Sequence, residues 1–210
     1  MLIDPDYKKL TSIALKENIT AIEYCINFDK SNWVQPEDGC LGFPALILLC
    51  SVIDTIGSYF RKTKLEVQIK GESRKIVTAK EHFYILNCNK IFDLDLDETI
   101  IDAFYSKYRS KTTHNNTLPL NTSLAIGLED ENIFETNTKK ELIQVRLKPL
   151  FIKVKEAEQK FSYYLANAKW SESHCLGKEL EESKNLTFDL KMLKNPTITA
   201  STIPNNIIVE

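Results

Sequence analysis

DETIIDAFYSKYRSKTTHNN, residues 97–116, decides how the rest of the chain is read. Ile100, Ile101, Phe104, Tyr105 and Tyr108 recur at helical spacing and mark the buried side of an amphipathic helix. Asp97 and Glu98 fall in its first turn, where carboxylates suit the positive end of the helix. Its last turns carry Lys107, Arg109, Ser110, Lys111, Thr112, Thr113, His114, Asn115 and Asn116, and Leu118-Pro119 stops it. Nowhere else does the chain set an always-charged guanidinium and a titratable imidazole so close together on an element that a core can hold rigid.

Upstream, residues 43–61 read as a helix apolar nearly all round, which places it at the centre of the fold. Asp54 is its odd residue: a carboxylate among Val52, Ile53 and Ile56 needs a partner if it is buried. An ion pair or backbone bond would satisfy it, and so would a supporting contact to Arg109. Before this helix, Asp4-Pro5-Asp6 is a helix start. Leu10, Ile13, Ala14, Ala21, Tyr24, Cys25 and Phe28 continue it as a broken stripe, with an expected kink at residues 18–20. Residues 31–42 form a loop containing Trp33. Residues 62–75 alternate Leu65, Val67 and Ile69 and are expected to be a short strand or a loop. Residues 78–88 read as a short helix with Phe83 and Leu86 inward and His82 as an ordinary surface or packing residue. Asp93, Asp95 and Asp97 do not make a calcium loop, because Glu98 stands where Gly is needed and Phe104 where Glu is needed.

Downstream, residues 123–127 and the run through Leu142, Val145 and Leu147 read as two strands around a polar turn, residues 129–140. The simplest expectation is a β-hairpin appended to a mainly α helical bundle. Pro149 opens a long amphipathic helix to about residue 168, with Phe151, Ile152, Val154, Ala157, Phe161, Tyr164 and Leu165 on its buried side. A short helix over residues 171–183 is expected, with His174-Cys175 incidental to function. One helical domain, residues 1–184, is followed by an Asn-, Thr- and Pro-rich arm, residues 185–210, extended or disordered.

Length and charge narrow the function classes. The 210 residues are 43% hydrophobic, enough for one domain with a real core. A net charge of −2 supplies no global basic field, so tight non-specific nucleic-acid binding is not expected. Five cysteines, odd in number and without a CxxC pair, argue for free buried thiols and against a zinc site. No signal peptide is read at the start, and the apolar run 43–53 is interrupted by Asp54 before it could span a bilayer. The expected setting is a soluble protein of the cytoplasm, without membrane attachment and without a bound cofactor or metal.

The chemistry concentrates in Arg109-Ser110-Lys111-Thr112-Thr113-His114. Five residues turn an α-helix by about 140°, so the two Cα atoms do not share a face. The long Arg side chain or a loosened last turn would have to bring the heads together. An Arg offers a planar fork for phosphate oxygens and stabilises charge developing on them. An imidazole titrates near neutrality and can take a proton from a ribose 2′-hydroxyl or give one to the leaving oxygen. Lys107 and Lys111 add charge, while Ser110, Asn115 and Asn116 add hydrogen-bonding groups.

The segment Tyr108-Arg109-Ser110-Lys111-Thr112-Thr113-His114-Asn115 resembles the signature of the HEPN superfamily, in which an Arg is followed by four to six residues and a His. The preceding Asp54-Thr55-Ile56-Gly57 and the hairpin and long helix that follow are also similar to one bacterial branch, so the resemblance covers residues 43–168. It implies a helical bundle that dimerises, with two copies of the motif in one cleft. It also implies metal-independent endoribonuclease activity, often in toxins, with an antitoxin as partner, or in defence effectors. On that basis Arg109 would stabilise the phosphate and His114 would be the acid–base group, with Lys107, Ser110, Lys111, Asn115 and Asn116 binding RNA and Asp54 supporting from behind. Ser110 stands where active members usually have Asn, Asp or His. A non-catalytic module that binds nucleic acid, nucleotide or a partner protein is therefore the alternative, and a third reading leaves Arg109 and His114 as helix-end and core-satisfying groups.

Overall fold

The computed structural model describes residues 5–31, 39–61 and 65–167. Three long helices carry the core: α1 (Pro5–Asn27), α2 (Gly42–Tyr59) and α5 (Leu147–Asn167) each pack against the other two. Helix α2 is central because its sequence leaves it little choice: Ala45, Leu46, Leu49, Val52, Ile53 and Ile56 are all fully buried. Each such aliphatic side chain stabilises the fold by about 1.5–3 kcal/mol on area alone. Helix α5 meets it with Leu150, Val154, Ala157, Phe161 and Leu165. Tyr59 joins all three helices: its ring lies edge-on to Phe161 at 5.2 Å and its hydroxyl bonds Thr11 at 2.7 Å.

Helix α1 departs from expectation in two ways. It runs unbroken through residues 18–20, where the Thr20 hydroxyl returns to the Lys16 carbonyl at 3.0 Å and needs no break to be satisfied. Its core face is Leu15, Ile19, Ile22, Cys25 and Ile26, so the stripe read through Leu10, Ile13 and Tyr24 instead faces outward. Two apolar faces compete on this helix, and the one with more branched aliphatic bulk is buried.

The stretch 97–116 is helical but not one uniform α-helix. Asp97 holds the N-cap position, without a capping bond from its side chain. Helix α3 (Glu98–Ala103) passes into a π-helical segment, Phe104–Ser110, and then into α4 (Lys111–Asn115). Phe104 and Tyr108 are fully buried. The neighbours Phe104 and Tyr105 both pack edge-on to Phe83, at 5.7 and 5.3 Å, from a turn wider than an α-turn. Asn116 ends the helix in the left-handed region, φ 48°, which Asn tolerates better than most residues.

The remaining elements correct the strand reading. Residues 66–75 are a hairpin of their own, β1 (Glu66–Ile69) and β2 (Glu72–Lys75), with Val67 and Ile69 inward. The short helix expected over residues 78–88 is a 3-10 helix, Lys80–Asn87. It is fixed by Asn87, whose side chain bonds the Leu96 carbonyl and N–H, each at 2.7 Å. The polar turn 129–140 contains a strand, β4 (Phe134–Thr136), between β3 (Ser123–Ala125) and β5 (Leu142–Arg146). The sheet order is β3-β5-β4, so β3 and β5 run parallel and the hairpin partner of β5 is β4. The fold is mainly α with two small sheets.

Helix α2 is long and apolar enough to cross a membrane by length and composition, with a mean hydropathy of 1.5. Trp33, the expected helix 171–183, His174, Cys175 and the arm 185–210 lie outside the described residues.

Candidate functional site

Asp54 is where the elements meet. It lies on α2 one turn beyond the buried Cys50, whose thiol is pushed up by burial. Its Oδ1 is 2.6 Å from His82 Nδ1 on the 3-10 helix, and its Oδ2 is 3.0 Å from an Nη of Arg109 on the π segment. One carboxylate thus takes one partner on each oxygen, from two elements that are remote in sequence. Burial alone would raise the Asp54 carboxyl; the His82 ring, and after it the Arg109 guanidinium, more than offset this and hold it below the usual carboxylate range. An ionised carboxylate only accepts, so His82 donates through Nδ1 and Arg109 through Nη.

The close approach has a cause in the sequence. Gly57 stands three residues after Asp54, and a Cβ there would lie 2.1 Å from the His82 carbonyl oxygen and 2.8 Å from its Cα. Only glycine lets the backbones of α2 and the 3-10 helix touch, and that contact brings the His82 ring to Asp54. His82 itself is buried, with 8% of its side chain exposed, and its Nε2 has no hydrogen-bond partner.

Arg109 is half-buried and held on two sides. Besides Asp54, its guanidinium lies over the Tyr105 ring, 5.4 Å from the centroid, one helical turn back. Among the described residues its other guanidinium nitrogens make no hydrogen bond, and about a quarter of the side chain stays exposed, which leaves donors open to a ligand.

His114 lies on α4 and is exposed, and among the described residues it has no hydrogen bond or ion pair. Lys111, Asn115 and Asn116 are exposed beside it, and Lys107 and Ser110 are half-buried one turn earlier. Among the described residues Lys107 and Lys111 are in no ion pair, whereas Lys70, Lys80, Lys148, Lys153 and Lys155 each pair with a carboxylate. Thr112 is not available to a ligand: it is fully buried, and its hydroxyl donates to the Tyr108 carbonyl and lies 3.3 Å from that of Arg109.

The structure therefore brings Asp54 and Arg109 together, as one reading of the sequence expected, and adds His82, which sequence reasoning set aside as an ordinary surface or packing residue. The missed signal was Gly57: a glycine inside a helix otherwise rich in buried side chains marks a close backbone approach. Cys25, Cys40, Cys50 and Cys88 are buried and free. Among the described residues no group of three or more His, Cys, Asp or Glu is arranged to hold a metal ion.

A separate cleft of about 460 Å³ opens between the 94–96 loop, the β3–β4 connection and α5. Glu129, Asp130, Glu131 and Glu156 line it with Ile133 and Phe134; Arg109 and His114 do not. Its charge is the wrong sign for a phosphate. Comparison of the chain with protein-family models, with curated proteins and with solved structures gives no match.

Proposed function

We propose that the chain is a HEPN-type helical bundle that cleaves RNA as a homodimer, without a metal, in a cleft shared by two copies of residues 109–114. Arg109 grips the scissile phosphate, and His114 moves the proton between the ribose 2′-hydroxyl and the leaving oxygen. Lys107 and Lys111 hold neighbouring phosphates, and Ser110, Asn115 and Asn116 bond the sugar and phosphate edges. A single observation carries this reading. The guanidinium of Arg109 is tethered from behind by Asp54 while its outward donors stay open, a few residues from an exposed and unpartnered imidazole.

The test is incubation of a labelled single-stranded RNA with the purified chain in EDTA. Cleavage is expected, with His114→Ala lowering the rate by about 10²-fold or more and the far-ultraviolet spectrum unchanged. RNA left intact by a well-folded dimer removes the enzymatic reading.

The second reading, a non-catalytic module binding nucleic acid, nucleotide or a protein partner, has one feature in its favour. Ser110 stands directly after Arg109, where active members of the HEPN superfamily usually have Asn, Asp or His. It predicts RNA binding without cleavage, lost in Arg109→Ala and retained in His114→Ala.

A further inference from the structure

The Asp54–Arg109 contact explains where the guanidinium is held but not what holds Asp54. An aspartate has two side-chain torsions, and one bond to the end of a long arginine side chain does not fix its carboxylate plane. The second oxygen is fixed by His82, a ring with 8% of its side chain exposed, on a 3-10 helix whose backbone is pressed against Gly57 of α2. His82 cannot withdraw without separating two packed backbones. Its ring is the rigid end of a relay that runs His82 Nδ1–H, Asp54, Arg109 Nη, at 2.6 and 3.0 Å. Tyr105 closes the other side, its ring under the guanidinium.

We propose that His82 is a positioning residue for Arg109: acting through Asp54, it locks the guanidinium so that the donors left over present a fixed fork to a phosphate. His82 touches no substrate. The purpose of the lock rests on the phosphate-binding role given to Arg109 above; the lock itself does not.

The proposal separates cleanly from a merely structural role because Asn places an amide nitrogen where Nδ1 sits and Leu does not. Side-chain nitrogen NMR on the arginine-labelled chain, with the Arg109 signal assigned from Arg109→Lys, reads rotation of the guanidinium directly. Slow rotation is expected in the wild type and in His82→Asn, and rapid averaging in His82→Leu. Binding of a fluorescent single-stranded RNA should weaken about tenfold or more in His82→Leu and recover in His82→Asn. Arg109 signals that stay slow in His82→Leu, or RNA affinity equal to wild type in that variant, would overturn the proposal. Should His82→Leu fail to fold, His82→Ala, which removes the ring nitrogen without adding bulk, takes its place in both measurements. A wild-type chain that ignores RNA overturns the functional reading instead, and the nitrogen spectra then decide the lock on their own.

Discussion

Asp54 illustrates how one residue couples stability to charge. Its carboxyl is held below the ordinary range, so the folded state favours the ionised form more than the unfolded chain does. The sign follows directly. The stabilisation is fully present above the unfolded carboxyl's pKa, ~3.9, and is lost as pH falls through the lower folded value. The wild type should therefore lose melting temperature faster than Asp54→Asn below about pH 4, and the two should converge in strong acid. At pH 7 Asp54→Asn is expected to cost about 1–3 kcal/mol, less than a fully buried broken pair because Asp54 and Arg109 keep some solvent contact. Thermal unfolding across pH 2–8 checks both, and parallel curves for the two proteins would deny Asp54 this role. A lone carboxylate in an apolar helix was legible in the sequence as a group that needs a partner. Its partner at Arg109 was one of the readings open. His82 was legible only indirectly: Gly57 marks a close backbone approach on α2, but nothing in HFYILN says that this segment makes it, 28 positions away from Asp54.

At the scale of elements, Gly57 makes the sharpest prediction. The atoms that its Cβ would meet belong to the His82 backbone, not to the end of a flexible side chain, so nothing can swing aside. Gly57→Ala should destabilise the protein by about 3 kcal/mol or more, against the usual gain for Gly→Ala within a helix. Chemical denaturation measures this, and a neutral or stabilising outcome would mean that the two backbones are not in contact. Helix periodicity revealed α2 and α5 because their partners lie on known faces. The same rule misjudged the face of α1, where two stripes compete. It also could not foresee the π turn at Phe104–Ser110, which depends on how aromatic residues from the 3-10 helix and β4 fill the space around Phe104. Strands were found as alternations, but their pairing was not. Three short strands admit several orders, and the sequence of β4, FET, carries almost no signal of its own.

The charge of the whole molecule works against its proposed partner, and this sets how RNA binding must behave. A net charge of −2 gives no long-range attraction, so the grip has to come from Lys107, Arg109 and Lys111 alone. Neutralising three phosphates of a single strand predicts a slope of log affinity on log salt of about −2 for one copy's cations, and about −4 if both copies in the shared cleft engage the strand. A slope near zero would point away from phosphate contacts, and one several times steeper would require cations elsewhere on the surface. The exposure of His114 also raises a demand that one copy does not meet. An imidazole on an open surface needs a second wall to exclude water and complete the site. A second copy of α4 would supply that wall in a two-fold symmetric dimer, where each motif faces its own image. Mixing tests this without any further structure. Wild type and His114→Ala, combined in equal amounts and allowed to exchange subunits, form about one quarter wild-type dimers. If both imidazoles serve one cleft, cleavage falls to about a quarter of that of an all-wild-type sample at the same total concentration, whereas independent sites leave about half. A value near one half, with exchange verified by mass spectrometry, would assign each His114 its own site and remove the shared cleft from the reading.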